Sequence, residues 1–341
     1  MSEITKQYTA VNPADVPYKV LRTGDNIPII GLGTFGSDRF THKQVGNAVK
    51  DAIRLGYRHI DCAAVYGNEK EIGKAIKEVI EEGVCTRKEL FITGKVWNDR
   101  HHEVEKACQE SLDDLQLDYL DMYLVHWPFP NYHAPGCDGD ARNPDSKPFI
   151  VEDFMNTWKQ MEALAEAGKV RNIGTSNMTI PKFERTLSLM RILPAVNEME
   201  MHPSFQQQGL YDYCLEKDIQ PIGYMPIGSP NRPERDKAKG DAIDIELPEI
   251  KAIADARGIH PAVVCIMWAI KNGQITIPFS IHPHKYLGNL EASFKDSLTD
   301  EEFASIKSCE CGSRLVKGQV FLWEGATTWK DLWDEDGVIA Q

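Results

Sequence analysis

Four side chains in this sequence are of the types that move a proton, and their spacing could bring them to one place: Asp61, Tyr66, Lys95 and His126. Each lies at, or just beyond, the C-terminal end of a stretch that reads as a β-strand. A phenol is a weak acid near neutrality, with a reference pKa of about 10. An ammonium beside it favours the phenolate, and a carboxylate paired to that ammonium holds it in place. A Tyr–Lys–Asp group of this kind is a general acid suited to protonating an alkoxide as a carbonyl is reduced.

The elements that must position these residues follow from the pattern of apolar runs. Strand-like stretches occur at 29–34, 57–63, 89–97, 119–127, 170–177, 195–201, 220–227 and 276–280. They are short and mostly apolar throughout, as parallel strands covered on both faces should be. Helical patterns alternate with them. One begins at Thr41, carries Val45, Ala48, Val49, Ala52 and Ile53 at helical spacing, and stops at Gly56. Others run over 68–80, ended by Gly83, and over 152–167, ended by Gly168. Eight such units predict a closed (β/α)8 barrel of the TIM type, whose strand ends converge on one chemical face. Before them, Thr23-Gly-Asp-Asn26 between two apolar segments reads as a hairpin able to plug the other end. The chain is expected to form a single domain over 1–341, with a core at about 18–307 and a tail at 308–341. The segments 129–149 and 228–247 are long for connections and leave the same end as His126, so lids over that face are expected.

Composition narrows the function. Among 341 residues, 38 Lys and Arg against 51 Asp and Glu give a formal charge of −13. This disfavours nucleic acid and anionic membrane as partners. No apolar run approaches the roughly 18 residues of a membrane span. Eight scattered cysteines fit reduced thiols and a cytoplasmic location. Cys309 and Cys311 form the one tight pair, too little for a metal site, and no metal is expected. Gly31-Leu-Gly-Thr-Phe-Gly36 matches a dinucleotide-fold fingerprint, yet a helix should follow at once and here begins only near Thr41. A Rossmann fold is therefore not expected.

With these residues in view, the chain resembles the aldo-keto reductase superfamily over nearly its whole length, and within it the sugar- and aldose-reductase branch. The resemblance rests on Asp61 to Tyr66 with Gly67-Asn-Glu69, on Lys95 before Trp97, and on Leu124-Val-His-Trp-Pro128. Gly174-Thr-Ser-Asn177, Asn197 with His202-Pro203, Gly228-Ser-Pro230 after Tyr224, and Ile277-Pro278 extend it. It implies a nicotinamide cofactor lying across the C-terminal face, with Asp61, Tyr66, Lys95 and His126 as the catalytic tetrad and His126 orienting the substrate carbonyl. It also implies cofactor contacts from Thr34, Ser176, Asn177, Glu198, Tyr224 and Ile227. Further contacts are implied from Ser229, Asn231 and Arg232 near the pyrophosphate, from Ser280, His282 and Lys285, and from Asn289 near the adenine. Phe35, Trp97, Asn98 and Trp127 are the expected substrate contacts.

Two positions depart from the family pattern. Glu198 stands where the family commonly has glutamine, and an ionised carboxylate only accepts hydrogen bonds. Phe279 stands where a lysine grips the 2′-phosphate of NADPH, so use of both NADPH and NADH is expected. The expected function is NAD(P)H-dependent, reversible reduction of a small-molecule aldehyde or ketone to the alcohol, with sugar aldehydes leading. An acidic carbonyl such as a uronate is the alternative if Arg314 or Lys317 in the tail reaches the pocket. A cofactor-sensing regulatory subunit is the alternative of another class. Monomer and homodimer both remain open.

Overall fold

Parallel strands buried on both faces need helices outside and side chains inside, and a closed barrel supplies both. The computed structural model describes residues 3–36, 39–130, 143–232, 234 and 237–340. A two-stranded ribbon of β1 (Tyr18–Val20) and β2 (Asn26–Pro28) comes first. Then follow β3 (Leu32–Gly33), β4 (His59–Asp61), β5 (Phe91–Val96), β6 (Leu120–Val125), β7 (Val170–Ser176), β8 (Val196–Glu200), β9 (Gln220–Tyr224) and β10 (Ile275–Thr276). These eight pair in parallel, each with the next. Ile30 bridges Thr276, and the Gly31 N–H donates to Thr276 O at 2.9 Å, so the last strand meets the first. The molecule is a (β/α)8 barrel, as its alternating pattern predicts.

Several strands are shorter than their apolar runs, for local reasons. Pro278 has no N–H for a ladder, and its carbonyl instead accepts from the Gly33 N–H at 3.0 Å. The run 220–227 stops at Tyr224 because Met225 is left-handed, with φ 54°.

The helices are α1 (Glu3–Gln7), α2 (His42–Arg54), α3 (Glu69–Glu81), α4 (Val104–Leu115), α5 (Val151–Glu166), α6 (Ile180–Thr186), α7 (Gln208–Glu216), α8 (Pro248–Arg257), α9 (Pro261–Lys271), α10 (Pro283–Glu291) and α11 (Asp300–Lys307). Thr41 caps α2 through a reciprocal pair with Gln44, and the face carrying Val45, Val49, Ala52 and Ile53 is buried. No single helix among the described residues is long and apolar enough to cross a membrane.

The ribbon closes the floor. Its Leu21 and Ile27 are buried with Phe91, Met122, Ile222 and Ile275 from the lower part of the barrel. The glycines after β2 serve close packing. A Cβ on Gly33 would lie 2.7 Å from Ile277 O, and one on Gly36 would lie 2.5 Å from the Phe279 ring. Among the described residues, the next helix after them begins at His42, in keeping with a barrel.

Candidate active site

Strand ends bring the proton-transfer residues together. Asp61 ends β4, Lys95 lies near the end of β5, and His126 follows β6. Lys95 Nζ donates to both Asp61 oxygens at 2.6 Å and to Cys62 O at 3.1 Å. Its ammonium also lies 3.4 Å from Glu198 Oε1. Lys95, Asp61 and Glu198 are all buried. Tyr66, in the turn after β4, places its ring centre 5.6 Å from Lys95 Nζ and 5.8 Å from the His126 ring. The Thr34 hydroxyl donates to Asp61 O at 2.7 Å, and Asn68 Nδ2 donates to Thr34 O at 2.9 Å. These two buried bonds fix the β4 end on which Asp61 sits.

Electrostatics follow from this enclosure. Burial alone would lower the Lys95 pKa, but the carboxylates of Asp61 and Glu198 outweigh it and hold the ammonium charged. Burial raises the Tyr66 pKa, while Lys95 opposes that rise. The acid is therefore weaker in this structure than the lysine alone suggests. Burial, then the Lys95 charge, drive the His126 pKa well down, so its ring is neutral and can donate one N–H. Burial raises Glu198 to about 8, with the nearby Asp61 charge adding to it. At neutral pH this residue is therefore largely an uncharged acid. In that form its carboxyl can donate as well as accept, whereas the ionised form only accepts.

Ser176 and Asn177 end β7, both buried. Asn177, left-handed at φ 60°, donates to His126 O at 2.9 Å and accepts from the Tyr224 hydroxyl at 2.8 Å. The polar atoms of Ser176, Asn177 and Glu198 thus lie at neighbouring strand ends, and Ser176 is the register partner of Glu198. Gly228 and Ser229 both have positive φ after β9. Arg232 is paired with Asp241, and Arg39 donates to Asn231 O at 3.4 Å. Ile227 is half-buried there. Ser280 accepts from the His282 N–H at 3.1 Å; His282 and Lys285 are exposed, and Asn289 is buried on α10. Phe279 packs against Phe40, ring centres 6.0 Å apart.

Aromatic side chains wall the mouth. Phe35 lies 5.2 Å from the Tyr66 ring and Trp97 5.1 Å from His126. Asn98 is fully buried, and neither polar atom of its side chain has a hydrogen-bond partner among the described residues. Trp127 is buried too, against a residue that sequence reasoning missed. Phe321 of the tail stands 4.6 Å from Trp127 and 5.9 Å from Trp97. Trp323 and Trp333 join the same buried cluster. The signal available was the tail's Trp323, Trp329 and Trp333, three tryptophans within the segment 308–341.

Of the two tail cations, Arg314 lies near the site: it lines a cavity together with Asn177 and acts electrostatically on Tyr224. Arg314 is buried, stacked 3.6 Å from the Trp333 ring and donating to Gln207 Oε1 at 3.3 Å. Lys317 Nζ pairs with Asp241 Oδ1 at 3.1 Å. Where described, the segment 228–247 is tied to His202 through Asp244 and to the tail through Asp241 and Ala242, whereas most of 129–149 lies outside the described residues. Also missed was a buried chain of charge. His202 Nε2 is 2.9 Å from Glu200 Oε1 and His202 Nδ1 is 2.8 Å from Asp244 Oδ2. Glu200 accepts from the backbone N–H of Leu315 at 2.7 Å and of Val316 at 2.9 Å. The signal was three ionisable residues at alternate positions, Glu198, Glu200 and His202, in an otherwise apolar run.

A closed barrel with a Tyr–Lys–Asp group at its mouth defines a carbonyl-directed oxidoreductase, and comparison with known proteins agrees. Residues 29–310 match the aldo/keto reductase family model. An aldo/keto reductase of Synechocystis sp. is 39% identical over 321 residues, 93% of this chain and 96% of that protein. Aldo-keto reductase family 1 member A1 of Xenopus tropicalis is 41% identical over 306 residues, 88% of this chain and 91% of its own. The crystal structure of a Bombyx mori aldo-keto reductase in complex with NADP superposes with a TM-score of 0.78 at 33% identity, covering 90% of this chain and 96% of that one. The chain belongs to the aldo/keto reductase family.

Proposed function

We propose that this aldo/keto reductase uses NADPH and also NADH to reduce a small, uncharged polar aldehyde of the sugar class, reversibly, with Tyr66 as proton donor. The observation that carries the reading is the buried ammonium of Lys95, held at 2.6 Å by both oxygens of Asp61 and facing the ring of Tyr66. The Bombyx mori relative was solved with NADP. A nicotinamide fits here on chemical grounds. Its carboxamide needs both donors and acceptors, which Ser176, Asn177 and a protonated Glu198 supply side by side, and Glu198 Oε2 is a buried atom with no hydrogen-bond partner among the described residues. The half-buried ring of Tyr224 offers a flat face. Bound there, the reduced cofactor supplies the hydride.

The residues of the chain do the rest. Neutral His126 donates a hydrogen bond to the carbonyl oxygen and fixes its position between Tyr66 and Trp97. The aromatic wall of Phe35, Trp97, Trp127 and Phe321 excludes water, which strengthens each polar contact inside. As the carbonyl carbon gains the hydride, Tyr66 gives its proton to the oxygen and is left as a phenolate, which Lys95 stabilises. Solvent later restores that proton. Lys317 is held by Asp241, which leaves the uronate alternative to Arg314 alone, whose guanidinium is stacked on Trp333.

Oxidation of NADPH and of NADH, followed with aldoses, uronates and simple aldehydes, tests the reading. Turnover should be highest with uncharged polar aldehydes. No turnover of any carbonyl with either cofactor would overturn it.

A further inference from the structure

Lys95 serves two carboxylates. Asp61 holds it with both oxygens at 2.6 Å, and Glu198, from a strand three places round the barrel wall, approaches to 3.4 Å with Oε1. Glu198 is fixed from its own backbone, for its carbonyl accepts from the Asn177 N–H at 2.8 Å. A third group thus shares a charge that the Tyr66 mechanism needs for itself.

We propose that Glu198 is a positioning residue for proton donation, whose own ionisation switches the strength of Tyr66 as an acid by competing for Lys95. This rests on the function proposed above. With Glu198 protonated, Lys95 and Asp61 form a neutral pair, and the phenolate left after donation is the one new negative charge beside the ammonium. With Glu198 ionised, the same pocket carries one excess negative charge before the reaction starts. A second, on Tyr66, is then disfavoured by repulsion in a site water does not screen. The groups facing Glu198 are Asp61 at the end of β4, Lys95 on β5, Tyr66 in the turn with Cys62 beside it, and Tyr224 on β9. Cys62 and Tyr224 are held neutral by burial, and His126 is neutral as well. Burial raises the Asp61 carboxyl as well, but Lys95 holds both its oxygens at 2.6 Å and approaches Glu198 only to 3.4 Å, so of the two carboxyls Glu198 is the one more readily protonated.

The test compares wild type with Glu198→Gln, which keeps the shape and removes the ionisation, and with Glu198→Met as a second neutral variant. Reduction by wild type, as kcat/KM against pH, should fall about tenfold or more through the Glu198 ionisation, the effect one buried like charge exerts on a neighbour's acidity. Both neutral variants should lack this limb. A second readout needs no turnover. The ratio of dissociation constants for oxidised and reduced cofactor, by protein fluorescence, should change with pH in wild type and stay flat in the variants, because an ionised Glu198 favours the positively charged oxidised ring. Identical pH dependence in wild type and either folded variant, in both measurements, would overturn the inference. Failure of wild type to turn over carbonyls or bind dinucleotide would instead remove the function it rests on.

Discussion

At the scale of single residues, the site divides into what residue type alone revealed and what required three-dimensional approach. Asp61, Tyr66, Lys95 and His126 were legible as a group: each alone at a strand end has ordinary structural uses, but the four together have few. The state of Glu198 was not legible, since it depends on Lys95 arriving from another strand and on the loss of water around both. The weakness of Tyr66 as an acid was hidden for the same reason, because burial opposes the lysine. Tyr66→Phe should fold and bind cofactor yet lose turnover by about 10²–10⁴-fold, the usual share of general acid catalysis. Single-turnover rates with a preferred aldehyde check this, and near-normal rates would take Tyr66 out of the role. Phe279 offers a 2′-phosphate no donor, so wild-type kcat/KM should favour NADPH over NADH only modestly. Phe279→Lys should shift that ratio towards NADPH by about 1 kcal/mol, since a partly exposed charged contact contributes less than a buried one.

Secondary elements show a second division. Caps and stops were readable: Thr41 and Gln44 start α2, and Gly56, at φ 118°, lies just past its end. Strand lengths were not, because Pro278 and the left-handed Met225 end ladders that hydrophobicity alone would continue. Least legible was how the loops are fastened. Glu200, His202 and Asp244 tie β8, the segment after β9 and the tail through buried ionic hydrogen bonds. Lys182 on α6 fastens the far end of the tail by pairing with Asp334 at 2.5 Å and donating to Leu332 O at 2.9 Å. For His202, burial alone would lower the pKa, but bonds to Asp244 and Glu200 outweigh it and raise it to about 9. The sign is that of a raised group. Its stabilisation is full below the unfolded value of about 6.5 and is lost as pH rises through about 9. His202→Leu leaves two buried carboxylates without their cation, and should cost about 3–5 kcal/mol. Urea unfolding at neutral pH measures that loss, and it should shrink towards alkaline pH. An unchanged midpoint at neutral pH would show that the imidazole is not what holds these loops.

The molecule as a whole keeps its two ends apart in purpose. Chemistry gathers at the upper mouth, while the ribbon of β1 and β2 seals the lower one with Leu21 and Ile27. Leu21→Ala should therefore lower unfolding free energy by about 2–5 kcal/mol, the cost of a cavity, and leave kcat per folded molecule unchanged. A matching fall in kcat would show that the floor is coupled to the mouth. The seal has a further consequence for how the catalyst renews itself. On the function proposed above, each reduction spends one proton from Tyr66, and that proton must be resupplied. From beneath, the way passes the apolar layer of Leu21, Ile27, Phe91 and Met122, and then His59, whose imidazole burial pushes down to about 3 and keeps from carrying a proton at neutral pH. Recharging must come from above, through the same opening by which the alcohol leaves. The barrel thus works as a vessel filled and emptied at one lip, where product departure and recovery of the spent acid share a single passage.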